Sequence, residues 1–300
     1  KISVRPEFFS AIACTLYASA FMFFMSAFRK DYLKPMTNLQ YLILIALFGV
    51  VEYYWFLGLR YWTGFFVFIG FYVRYLRDQK PRYLLFSLSC LFFHFAHLAI
   101  PLALLLEYTL RKHLNTIYLL AVTGLAMRFS SWDIPSLIVS IASKYGLLNK
   151  AYTDESIVEA TKIAVQKYRE VQNLVYAWRN DTLFFVGVVV SYLLYQKFRD
   201  KSLVNSNLWR LTWLIYAMAN FSFASIVLHK RLTMIACLLL YTSLWVFVSK
   251  RTETQGKSVS IPSAGIVALA GCILFSILTT IVSQRESLFS LSLWFNSWLL

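Results

Sequence analysis

One run of sequence constrains this chain more than any other: Arg82 to His113. Between Tyr83 and Leu110 it is apolar or neutral except for His94, His97 and Glu107. That is roughly 28 residues, or about 42 Å as a single helix, whereas a bilayer core is crossed by about 20 residues. The run is therefore too long for one pass. Pro101 lies just past its middle and predicts a break or kink there, because proline removes a backbone donor. Arg74, Arg77, Lys80 and Arg82 precede the run, and Arg111 and Lys112 follow it. Basic loops stay in the cytoplasm. With both ends on that side, the chain must enter and come back, turning near His94, His97 and Pro101. Irregular backbone at membrane depth is tolerated only against protein or a water-filled cavity. The two histidines stand three residues apart, on one helical face. A histidine in an apolar helix is commonly a packing residue, but an ionisable group inside a membrane segment also points to function.

Composition agrees with a membrane protein. Of 300 residues, 59% are hydrophobic and 14% charged, against about 25% charged in soluble domains. The net charge of +15 excludes nucleic acid as the natural partner, because the basic residues fall in short clusters between apolar runs, as the positive-inside rule requires. Some can meet anionic lipid headgroups. The four cysteines, Cys14, Cys90, Cys237 and Cys272, lie inside apolar runs without metal-ligand spacing and read as small buried hydrophobes. No signal-peptide pattern is present. Lys at position 1 is what a sequence beginning part-way through a longer protein would show.

The chain then reads as an all-α polytopic transmembrane bundle of about 9–11 membrane helices, forming one integral membrane domain over residues 1–300. Spans are expected at Phe8–Phe28, Asn38–Leu59 (with Glu52 inside), Tyr61–Tyr75, a broken or re-entrant pair in 83–110, Asn115–Phe129, Thr182–Phe198, Leu208–Leu228, Leu232–Ser249 and Ala264–Val282. Phe289–Leu300 is too short to cross alone. Between them lies one long polar loop, 130–181. It holds Asp133 and an amphipathic helix opened by the capping box Ser156–Glu159, with Ala164, Tyr168, Val171, Val175 and Trp178 at helical spacing.

With 74–82 in the cytoplasm and 83–110 entering and returning, every later basic cluster falls inside: Arg111/Lys112, Lys197/Arg199/Lys201 and Lys250/Arg251/Lys257. A single pass through 83–110 would throw them all outside. The same parity isolates cations on the outer side: Arg60, Arg128, Arg179 and Lys230-Arg231, with His94, His97 and His229. Arg179 is expected to snorkel to outer headgroups. Arg60 and Arg231 stand at abrupt helix junctions. Arginines converging on an outer cavity bind phosphate or pyrophosphate through a planar fork and a permanent charge.

Three short segments resemble the EpsG/Wzy-type membrane polysaccharide polymerases. The first is Leu59-Arg60-Tyr61-Trp62-Thr63-Gly64, an Arg opening a span; that family usually has Gln where Tyr61 stands and Ala where Gly64 stands. The second is Phe93-His94-Phe95-Ala96-His97-Leu98-Ala99-Ile100-Pro101 after a basic loop, with His94 at the family's His position and His97 additional. The third is Arg231 before Leu232-Thr233-Met234. The resemblance implies an inverting glycosyl transfer on the outer face of the bacterial cytoplasmic membrane. Polyprenyl-pyrophosphate-linked oligosaccharide would be the donor and a second lipid-linked unit the acceptor, with no metal and no cofactor. Arg60, Arg231, Lys230 and Arg128 would bind pyrophosphate, and His94, His97, Glu52 and Asp133 are candidates for the base that takes the acceptor's proton. Membrane lipids and other polysaccharide-assembly proteins are the expected partners.

Three other functions use similar features. A lipid-linked glycan transporter or flippase also needs a cationic cavity and broken helices, although no internal repeat is visible. A membrane-bound O-acyltransferase uses an intramembrane histidine. In a non-catalytic subunit of a larger membrane assembly, the outer arginines would contact lipid only.

Overall fold

Where the described residues join one helix to the next, as at 79–80, 111–113 and 199–206, the connection is short and polar. The computed structural model describes residues 6–26, 37–50, 59–128, 175–223, 226–255 and 261–289. Glu52, Asp133 and the amphipathic stretch opening at Ser156 lie outside the described residues. The described residues form ten α-helices and two 3-10 segments, with no strand among them. The α-helices are α1 Pro6–Ser26, α2 Asn38–Val50, α3 Leu59–Asp78, α4 Pro81–Ser87, α5 Ala99–Leu110, α6 Leu114–Arg128, α7 Val175–Phe198, α8 Asn207–Phe221, α9 Ile226–Gln255 and α10 Ser263–Phe289.

Side-chain contacts fix the direction of each helix. Arg74 of α3 reaches the Phe23 carbonyl and the Ser26 hydroxyl at the end of α1, so these two run parallel. Gln40, early in α2, donates to Ser249 late in α9. Arg128 closes α6 against Asp181 of α7. Asp200, just past α7, pairs with Arg251 of α9. His229 of α9 meets the Ala219 carbonyl near the end of α8. The bundle therefore has a basic end, where Arg74, Arg77, Lys80, Arg82, Arg111, Lys112, Lys197, Arg199, Lys201, Lys250 and Arg251 collect, and an opposite end, where α3 and α9 begin and α6 and α8 finish. Two helices stop at the basic end by the same device. Gln79 (φ 54°) follows α3 and Arg199 (φ 52°) follows α7. Each returns its N–H at 2.7 Å, to the carbonyls of Tyr75 and Tyr195 respectively. This is a left-handed cap built without glycine.

Residues 81–110 form the expected hairpin. α4 and the first 3-10 segment, Leu88–Phe92, climb back along α3 from the basic end. Phe93 and the second 3-10 segment, Phe95–Leu98, reach the first turns of α3, where His97 meets Tyr61. α5 then descends until Glu107 stands beside Tyr72 of α3 and pairs with Arg210 in the first turn of α8. Tyr61 and Tyr72 are separated by about 16 Å along α3, so the tip lies at one end of the bundle and both feet at the other.

The turn falls near His94 as expected, but Pro101 does not make the break. Pro101 is the third residue of α5, where the missing N–H has no partner to lose. The chain breaks before it, at Phe93-His94. Ser87 and Ser89 there turn their hydroxyls back onto the carbonyls of Leu84 and Phe86, a habit that bends helices. Two other boundaries move. His229-Lys230-Arg231 was expected to separate two spans, but α8 ends at Phe221 and the triplet lies inside the first turns of α9. Lys and Arg are good helix formers, and charge alone does not end a helix. Residues 175–181, expected in the outer loop, begin α7.

α9 is the axis of the bundle. Its segment Leu228–Thr252 (25 residues) is the one described helix long and apolar enough to cross a membrane, and 94% of its apolar window is buried by other helices. Gly187 lets α7 close on it, since a Cβ there would stand 2.6 Å from Leu240.

Candidate functional site

The first turns of α3, the hairpin tip and the first turns of α9 bring four side chains together: Tyr61, His94, His97 and Arg231. Tyr61 is the hub. Its ring stacks on His97 at 5.1 Å with an interplanar angle of 11°, and it meets His94 edge-on at 5.5 Å. Its hydroxyl donates to the backbone carbonyl of Arg231. The Arg231 guanidinium lies 5.7 Å from the Tyr61 ring centroid and donates from Nη1 to His94 Nε2 at 3.1 Å.

These contacts fix the histidine tautomers. A guanidinium can only donate, so His94 accepts at Nε2, carries its proton on Nδ1 and is neutral. His97 is fully buried. Its Nε2–H donates to the Tyr61 carbonyl at 3.0 Å, and its Nδ1 is buried without a hydrogen-bond partner. The approach of the tip depends on Gly64, where a Cβ would stand 2.7 Å from His97 Nε2 and 2.8 Å from Phe93 Cβ.

Of the residues expected to act, His94, His97 and Arg231 are thus in one place. Arg60 immediately precedes Tyr61 in the first turn of α3, so its backbone belongs to the same corner. Lys230 is partly buried beside Arg231. Arg128 is elsewhere. Its Nη1 donates to Asp181 Oδ2 at 2.6 Å, with side chains only 6% and 3% exposed. Its guanidinium lies 4.6 Å over the Phe223 ring, and the Tyr216 hydroxyl donates to the other oxygen of Asp181. Arg179 departs from expectation: it is buried within the protein rather than extended toward headgroups, because the polar residues 179–181 are a turn of α7 packed inward. His229 is also buried, donating from Nδ1 to the Ala219 carbonyl at 2.7 Å.

Sequence reasoning missed Tyr61 and Asp181. Tyr61 could have been suspected as an aromatic one helical turn before Gly64, a spacing that puts both on one face. Asp181 directly abuts an apolar run, which is itself a signal for an intramembrane ionisable group. Among the described residues, no three His, Cys, Asp or Glu side chains come together as a metal would require. No known family, curated protein or solved structure matches this chain.

Arg77, Arg128, Arg210 and Arg251 each pair with a carboxylate. Arg74, at the basic end, instead meets two carbonyls, a hydroxyl and the Phe23 ring, and Arg231 is the arginine at the opposite end set against a histidine. Among the described residues no carboxylate pairs with Arg231; it has a neutral imidazole and an aromatic face. A guanidinium so placed keeps its charge for an anion, and a forked donor suits phosphate best.

Proposed function

We propose that this chain is a multi-pass protein of the bacterial cytoplasmic membrane that polymerises polyprenyl-pyrophosphate-linked oligosaccharides on the outer face. The membrane reading is supported by large apolar side chains on the outside of a bundle whose core is apolar too. Leu85, Phe92 (92% exposed), Leu102, Leu105, Val122 and Val267 point outward, while the ion pairs Arg128–Asp181 and Glu107–Arg210 are buried. A water-soluble protein buries the first kind and exposes the second. The gathering of basic residues at one end of the bundle supports a cytoplasmic side for that end and an outer side for the Tyr61–His94–Arg231 corner.

The observation that carries the enzymatic reading is Arg231, a cation that pairs with no carboxylate among the described residues and is set against a histidine. In the reaction, His94 removes the proton from the acceptor hydroxyl. That oxygen bonds to the anomeric carbon, and the carbon–oxygen bond to pyrophosphate breaks. The electron pair leaves on the pyrophosphate, whose growing charge Arg231 and Arg60 stabilise. His97, buried and bonded to the Tyr61 carbonyl, holds the tip in register.

Arg231→Lys and Arg60→Lys test this. Both should reach the membrane normally. Each should lose about 10²–10³ in rate, because lysine lacks the bidentate fork. Cells should lack long-chain glycan and accumulate single lipid-linked repeat units on the outer leaflet. Accumulation on the inner leaflet would instead indicate transport, and normal polymer in both variants would reduce the arginines to lipid anchors.

A further inference from the structure

In the resting arrangement His94 cannot act as a base. Its one acceptor nitrogen, Nε2, is occupied by Nη1 of Arg231 at 3.1 Å, and a proton taken there would face the guanidinium it displaced. The histidine is only partly buried, so it is burial by Arg231, not by the core, that withholds the lone pair. Arg231 is held loosely for an internal arginine: its backbone is pinned by the Tyr61 hydroxyl, while its charged head has an imidazole and a ring face. A phosphate offers that head a far stronger partner than neutral nitrogen does.

We propose that Arg231 is a cap on His94 that the pyrophosphate of the donor removes. The anion draws the guanidinium off Nε2, so the base is uncovered only when a leaving group is in place, and the same arginine then meets the charge of the departing pyrophosphate. This inference rests on the pyrophosphate reading above and adds the coupling between its two residues.

Carbethoxylation by diethylpyrocarbonate, followed by peptide mass spectrometry on the full-length protein in neutral detergent, reads the accessibility of the imidazole lone pair. His113, exposed at the basic end, serves as the internal standard. His94 should react at least about tenfold more slowly than His113, the protection expected of a charge-assisted hydrogen bond. Undecaprenyl pyrophosphate should remove that protection, as should inorganic pyrophosphate at higher concentration. In Arg231→Met, His94 should react fast with or without ligand. Calorimetric binding of undecaprenyl pyrophosphate with no change in His94 reactivity would leave the pyrophosphate site standing and overturn the cap. Absence of binding would overturn the site and the cap together. Equal acceleration by phosphatidylglycerol would assign the uncapping to any lipid phosphate and overturn its link to the leaving group. If Arg231→Met does not accumulate, the wild-type response to ligand alone decides among these outcomes.

Discussion

Arg128 and Arg231 stand at the same end of the bundle, each within the first or last turns of a long helix, and their surroundings are opposite. Arg128 is closed off: Asp181 neutralises it, Tyr216 satisfies the second carboxylate oxygen, and Phe223 covers its face. Arg231 meets a neutral imidazole and a ring. The first arrangement spends the charge on the fold, and the second leaves it available. Position in the bundle is thus a poor guide to which cation is neutralised within the fold, and the neighbouring carboxylate decides. Glu107–Arg210 near the basic end repeats the closed type, with the Asn205 carbonyl and the Asn207 side chain accepting from Nη1 and Nη2 of Arg210.

The largest expected difference is in stability. Asp181→Asn removes the carboxylate charge that Arg128 meets at 2.6 Å in a buried site and should cost about 3–5 kcal/mol, read as a collapse of the thermal transition in detergent. Arg231→Met removes no ion pair and should stay within about 1 kcal/mol of wild type. The double variant Arg128→Met/Asp181→Leu should recover much of the loss, because an apolar pair of similar volume replaces a buried ion pair well. Equal destabilisation by Asp181→Asn and Arg231→Met would erase the distinction between the two arginines.

Next in size is Gly64→Ala. The added methyl would stand 2.7 Å from His97 Nε2 and 2.8 Å from the Cβ of Phe93. Both are held, one by its bond to Tyr61 and the other by backbone, so overpacking should cost about 1–3 kcal/mol. The hairpin tip should shift away from α3, loosening the Arg231–His94 corner while leaving Arg128–Asp181 intact. Activity should then fall further than stability does. A variant as active as wild type would mean that the tip need not meet α3 so closely.

Much of this architecture was legible because charge placement is local information. The basic clusters between apolar runs gave the alternation of helices, and the excess length of 83–110 gave the hairpin. The exact break was not legible: Pro101 is the conspicuous residue, yet it begins α5 harmlessly, while Ser87, Ser89 and the Phe93-His94 junction do the bending. Nor could the pairing of Arg128 with Asp181 be read, since Arg179-Asn180-Asp181 looks like the end of a polar loop and is in fact a buried turn of α7. The meeting of Tyr61, His94 and Arg231 joins three helical segments far apart in sequence. Parity put His94 and Arg231 on one side of the membrane, but nothing in the chain says that they touch.

Tyr61→Phe tests the hub more gently. It keeps the ring against both histidines and removes only the hydroxyl that holds the Arg231 carbonyl. The loss should be about 0.5–1.5 kcal/mol. Stability should drop slightly and His94 should become more reactive, because the backbone that positions its cap is released. No change in His94 reactivity would mean that α9 positions Arg231 without help from α3.

The smallest effect belongs to the basic end, where Asp200 and Arg251 form a half-buried counterpart of the buried pairs. The backbone N–H of Ser202 is the main group holding the Asp200 carboxyl below the usual carboxylate range. Partial burial opposes it, and the Ser202 hydroxyl and Arg251 add to it. Because the folded-state value is the lower one, the stabilisation is fully present above the ordinary aspartate range and is lost as pH falls through the depressed value. Asp200→Asn should therefore be slightly less stable than wild type at neutral pH, by about 0.2–1 kcal/mol as for a surface pair. The two thermal transitions should converge on acidification, and added salt should narrow the neutral gap by screening Arg251. A gap unchanged from neutral to acid would place the role of Asp200 in shape rather than charge. The turn after α7 would then owe its geometry to Arg199 alone.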